Sequence, residues 1–149
     1  MQSSMGSRGP QKLTDKGQAT RARVLRHAAE LIYAKGVRGL FDNWRIDLVT
    51  AHSAEEAEHW LDSIGRLPDV IVSDYRLPDD TDGIEVITRL RERFGRDIPA
   101  ILVTGDTAPD TILRISQAGF PLLHKPLRPA KLRALLTHLI QQARAAAVG

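Results

Sequence analysis

Three polar side chains stand where apolar runs stop. Asp74 follows Val70-Ile71-Val72-Ser73, Thr104 follows Ala100-Ile101-Leu102-Val103 and leads into Gly105-Asp106, and Lys125-Pro126 follow Leu122-Leu123-His124. Singly, each has an ordinary explanation: an Asp after a strand is usually a turn former, and a Thr or Lys is usually surface. If the three runs are neighbouring strands, a carboxylate, a hydroxyl and an ammonium meet at one edge. Such a set suits phosphoryl transfer. The carboxylate attacks phosphorus as nucleophile, and the hydroxyl and ammonium stabilise charge on the phosphoryl oxygens.

The elements that must position these groups are legible as an alternation. Residues 46–51 have a short strand pattern. Ser53 then caps a helix, with Glu56 as capping-box partner and Ala54, Ala57, Trp60, Leu61 and Ile64 as its buried stripe. The β-branched run at 69–73 reads as a fully buried parallel strand. A loop over 74–82 leads to a helix from about Gly83 to Phe94, with Ile84, Ile87 and Leu90 facing inward. A strand at 99–103, a helix at 107–118 closed by Gly119, a strand at 121–124 and a helix at 129–146 complete the pattern. The last helix has Leu132, Leu135, Leu136, Leu139 and Ile140 on one side. Strands alternating with helices over short connections imply an α/β doubly wound parallel sheet, which binds ligands at the carboxyl ends of its strands.

Composition narrows the class. At 149 residues, 42% hydrophobic and 26% charged, the chain reads as a soluble globular domain with a short extension. No apolar run is long enough to span a bilayer, and the first ten residues lack a signal core. Absence of cysteine excludes disulfides and thiolate metal sites and fits a cytoplasmic setting. The five histidines show no ligand spacing. The net charge of +3 is uneven: residues 1–40 hold eight Lys/Arg and two Asp/Glu, a net of +6, and the remainder carries −3. A basic front could touch nucleic acid, although a solvated arm is the plainer reading. Residues 1–17 have no apolar period and are expected to be a disordered leader. Residues 18–39 are expected to be a basic amphipathic helix, with Val24, Leu25, Ala28, Leu31 and Ile32 at helical spacing.

The motifs Asp69-Val-Ile-Val-Ser-Asp74-Tyr-Arg-Leu-Pro78, Asp82-Gly83, Ile101-Leu-Val-Thr104-Gly and His124-Lys125-Pro126-Leu, in that order, resemble a response-regulator receiver domain over about residues 40–146. Residues 98–136 are especially similar to the C-terminal receivers of hybrid sensor histidine kinases. The resemblance implies a flavodoxin-like fold and membership of a two-component phosphorelay. Asp74 would be the phosphoacceptor, Thr104 would bond the phosphoryl group, and Lys125, followed by a cis peptide bond to Pro126, would bridge to it. Asp74 and the backbone carbonyl of Arg76 would ligate Mg²⁺, and Pro78 and Gly83 would shape the loop. The implied partner is a sensor histidine kinase or phosphotransfer protein, with a homodimer as a further option. The target would dock on the face formed by helix 107–118, the last strand and helix 129–146. Such a module accepts and loses phosphate without being a turnover enzyme.

The chain departs from the family in three places. Receivers open with a strand ending in an acid pair that holds Mg²⁺, whereas a gap-free count puts Ala28-Ala29 at that position, with Glu30 next. Mg²⁺ affinity is therefore expected to fall, unless Asp79, Asp80 or Asp82 substitutes. An aromatic that often precedes the lysine by three residues is here Leu122. Finally, residues 16–39 resemble the first helix of tetracycline-repressor-type regulators, without the recognition helix that would read DNA. The usual first strand is thus missing or replaced, and its place must be filled by residues 23–26 as a poor strand, by the 18–39 helix packed across the opening, or by a second molecule. The alternatives to a working receiver are a phosphorylation-incompetent pseudo-receiver acting by protein binding and, more remotely, a DNA-binding regulator.

Overall fold

Residues 23–26 decide between those options: they lie inside an extended segment. The computed structural model describes residues 22–27, 39–77 and 81–148. Ala22–His27 is a strand (β1), so the expected helix is corrected over these residues, and the remainder of 18–38 lies outside the described residues, as does the expected leader. A helical segment at 39–43 (α1) follows. Then come β2 (Ile46–Ala51), α2 (Ala54–Ile64), β3 (Val70–Asp74), α3 (Gly83–Phe94), β4 (Ala100–Thr104), α4 (Pro109–Ala118), β5 (Leu122–His124) and α5 (Pro129–Val148). The five strands form one parallel sheet in the order β2-β1-β3-β4-β5. The sheet therefore takes in residues 22–27, and a boundary at residue 40 would leave out a strand that lies between two others.

The reason β1 is extended lies in its neighbours. β2 and β3 would each present an unpaired edge without it. β1 satisfies both, pairing Ala22–His27 with Ile46–Ala51 on one side and Val24 to His27 with Val70 to Ser73 on the other. A two-residue apolar core, Val24-Leu25, is compatible with either period, so tertiary pairing overrides local helical preference. In a strand these two residues point to opposite faces, and both are fully buried. Leu25 joins Ala57, Leu61, Ile71, Ile87, Leu90, Leu102 and Ile115 beneath α2, α3 and α4. Val24 joins Phe41, Val70, Ile101, Leu132 and Leu136 beneath α1 and α5. Burying two such side chains contributes about 1.5–3 kcal/mol each. The start of the strand is pinned by Asp69, whose carboxylate accepts from Arg23 N at 2.8 Å and whose own N–H donates to Arg23 O at 2.7 Å.

The helices follow their expected positions closely. Ser53 caps α2, its Oγ accepting from Glu56 N at 3.0 Å. The Glu56 carboxylate accepts from His52 N at 2.6 Å. Trp60 departs from the expected stripe: it is 44% exposed, while Ala54, Ala57 and Leu61 are buried. Asp82 caps α3 by accepting from Glu85 N at 2.9 Å. α4 begins at Pro109, two residues later than expected, because proline suits the first helical turn.

Candidate functional site

Parallel register brings the three strand-end groups together. Asp74 pairs with Val103 across β3 and β4, and Thr104 pairs with His124 across β4 and β5. The ladder runs one step beyond the strands: Tyr75 N donates to Val103 O at 2.8 Å, and Lys125 N donates to Thr104 O at 2.9 Å. Asp74 and Thr104 are buried. Lys125 Nζ lies 3.5 Å from Asp74 Oδ2. The Lys125-Pro126 bond is cis. A cleft of about 230 Å³ opens here, lined by Asp74, Arg76, Val103, Thr104, Gly105, Asp106 and Lys125.

The loop after β3 is drawn back across the sheet edge. Arg76 and Asp82 form an antiparallel bridge, Leu77 N donates to Thr81 O at 3.2 Å, and Gly83 N donates to Tyr75 O at 2.7 Å. Pro78, Asp79 and Asp80 lie outside the described residues. Gly83 sits where α3 comes closest to the sheet. A Cβ there would fall 2.6 Å from Leu102 Cδ2 and nearer still to the carbonyl of Asp74. This is a position where only glycine permits the approach.

Two participants had no assigned side-chain role in the sequence. Arg76 counted only through its carbonyl, but its guanidinium reaches Asp106 Oδ2, with Nη2 at 2.7 Å and Nε at 3.3 Å. Asp106 is held on all sides. Its N–H donates to Thr104 Oγ1 at 2.9 Å, its Oδ1 accepts from Ala108 N at 2.8 Å, and its Oδ2 accepts from Thr111 at 3.1 Å. The Arg76 guanidinium, then the Ala108 N–H and the Thr111 hydroxyl, hold the Asp106 carboxyl down at about 2, and burial opposes them only weakly. Arg76 is correspondingly raised above its ordinary value by Asp106. The sequence signal was available in Thr104-Gly105-Asp106, where a carboxylate two residues past a strand end can turn back on its own loop.

Among the described residues the donor set falls short of what a divalent cation requires. Mg²⁺ favours oxygen ligands in octahedral array. Among the described residues no three His, Cys, Asp or Glu gather to hold a metal. β1 ends at His27, and the next two residues of the sequence are alanines. Asp82, one of the expected substitutes, is committed elsewhere: besides capping α3, its Oδ2 accepts from Arg114 at 3.0 Å. Among the described residues, which do not include Asp79 and Asp80, what remains is the Asp74 carboxylate, the Arg76 carbonyl and an Asp106 already bound to Arg76, and that set does not fit Mg²⁺.

The sheet order, with a strand-end Asp, Thr and Lys around one cleft, defines a flavodoxin-like doubly wound α/β domain. The chain matches the family model of the response regulator receiver domain over residues 30–137, and it belongs to that family. It is 30% identical over 102 residues to the transcriptional regulatory protein TrcR of Mycobacterium tuberculosis, covering 68% of this chain and 38% of that protein. It is 39% identical over 89 residues to the cyclic di-GMP phosphodiesterase response regulator RpfG of Xanthomonas campestris, covering 58% of this chain and 22% of that protein. The chain thus spans well under half the length of these curated relatives. Solved structures of similar fold include the signal receiver domain of an HD domain-containing protein from Pseudomonas fluorescens, with a TM-score of 0.72 at 23% identity, covering 85% of this chain and 99% of that one. A CheY-like receiver from Methanospirillum hungatei gives 0.71 at 18% identity, covering 85% and 99%. Receivers belong to two-component signalling and generally work with histidine kinases or phosphotransfer proteins. No helix among the described residues is long and apolar enough to cross a membrane.

Proposed function

We propose that this chain is a cytoplasmic receiver module of a phosphorelay, accepting a phosphoryl group on Asp74 from the phosphohistidine of a sensor histidine kinase or phosphotransfer protein. One observation carries the reading: the buried Asp74 carboxylate shares a cleft with Thr104 and with Lys125, whose Nζ is 3.5 Å away. A carboxylate oxygen of Asp74 attacks phosphorus, and the bond to the histidine nitrogen breaks with its electron pair. Thr104 and Lys125 stabilise the phosphoryl oxygens. The module carries phosphate rather than turning over substrate, and its target docks on the α4-β5-α5 face, where Leu113 is 57% exposed.

Purified protein incubated with acetyl phosphate should gain the mass of one phosphoryl group, and Asp74→Asn should gain none. Wild type that stays unmodified while folded by circular dichroism would refute phosphoacceptor activity. That result would favour a second reading, a pseudo-receiver that acts by protein binding alone, which the Ala28-Ala29 pair after β1 supports.

A further inference from the structure

The cleft over Asp74 holds two cations from different loops. Lys125 lies next to Asp74 itself, whereas Arg76 is drawn to Asp106. These two partners differ in freedom. Asp106 is anchored to Thr104, Ala108 and Thr111. The Arg76 side chain is 69% exposed, so it is the member of the pair that can move. The cleft lining sets two carboxylic residues, Asp74 and Asp106, against two basic ones, Arg76 and Lys125, and an arriving phosphoryl group adds negative charge to that balance. In a site whose carboxylates suited a divalent cation, the metal would answer that charge. Here the donor set among the described residues does not fit one.

We propose that Arg76 supplies the missing positive charge: its guanidinium exchanges Asp106 for the phosphoryl oxygens when a phosphoryl donor enters, so that Asp74 is phosphorylated with little dependence on a divalent cation. The inference rests on Asp74 being the acceptor. Both Nε and Nη2 converge on Asp106 Oδ2, and the same planar fork has the geometry to donate to two phosphoryl oxygens instead. With acetyl phosphate as donor, an Asp74 carboxylate oxygen forms the new bond to phosphorus. The phosphorus–oxygen bond to the acetyl group breaks, and acetate leaves as an anion with the electron pair. No proton is transferred.

The test is the initial rate of phosphoryl-adduct formation, read by intact mass, for the full chain with acetyl phosphate in excess EDTA and in Mg²⁺. Arg76→Gln and Arg76→Lys are measured alongside, each shown folded by circular dichroism. Wild type should react in EDTA within about tenfold of its rate in Mg²⁺. Arg76→Gln should lose roughly tenfold or more in EDTA, as expected on removing a preorganised donor to a developing oxyanion, and Arg76→Lys should recover part of that loss. Adduct in wild type only when Mg²⁺ is present, or an Arg76→Gln rate equal to wild type in EDTA, would overturn the role of Arg76 and leave Asp74 standing as acceptor. No wild-type adduct under either condition would overturn both.

Discussion

Asp106 shows how much a site residue can do without touching the reacting atoms. Its carboxylate joins the β3–α3 loop to α4 by accepting from Arg76 and from Thr111, while its N–H occupies the Thr104 hydroxyl. A phosphoryl group that engages Thr104 therefore has a hydrogen-bonded route to the start of α4, and this route does not need the aromatic that Leu122 replaces. The titration of Asp106 gives this arrangement a measurable sign. Its carboxyl is held at about 2 in the folded chain against an ordinary value of 3.8. A carboxyl lowered on folding contributes its stability above the ordinary value and loses it as pH falls through the folded one. The urea midpoint of Asp106→Asn should thus lie below that of wild type at neutral pH, and the two should converge between about pH 4 and pH 2. Because the pair is exposed, the gap should be small. A difference that persists unchanged at pH 2 would assign the effect to packing instead.

At the scale of elements, the close seating of α3 against β3 and β4 depends on Gly83. Gly83→Ala should destabilise the domain by about 1–3 kcal/mol, the usual range for overpacking, measured by urea unfolding. It should also slow phosphorylation of Asp74, since the backbone carbonyl of Asp74 is among the atoms displaced. An unchanged midpoint would mean that α3 can shift freely. Most elements were legible because their signals were strong and local: the β-branched run 70–72, the Ser53 cap and Gly119 after α4. The failures share a cause in tertiary context. β1 has a helical pattern and becomes a strand only because two other strands need it. Trp60 falls on the apolar stripe of α2 but stands out in solvent, since Ala57 and Leu61 already fill the contact with the sheet. The Arg76–Asp106 pair spans 30 residues of sequence, a separation at which no local spacing rule applies.

The whole molecule is two cores on either face of one sheet, and β1 contributes to both through Leu25 and Val24. The family-level sequence match begins only at residue 30, after this strand has ended. Sequence likeness and structural necessity therefore part company at the front of the chain. A chain cut to begin at residue 30 would lose the strand between β2 and β3, leaving two sheet edges without hydrogen-bond partners. It should show no cooperative urea transition, monitored by far-ultraviolet circular dichroism, where the full chain shows one. A sharp transition at the wild-type midpoint would mean that β2 and β3 can close on each other.

The position of β1 also orders events at the ribosome. It is the earliest of the five sheet strands to be made, yet Val24 pairs with Val70, 46 residues further on. At a synthesis rate of roughly 5–20 residues per second, several seconds separate the two. Through that interval the segment destined for the middle of the sheet has at most one flank covered, and its final partner is the strand that carries Asp74 at its end. Asp74 and the last hydrogen bonds of β1 are thus completed by the same stretch of nascent chain.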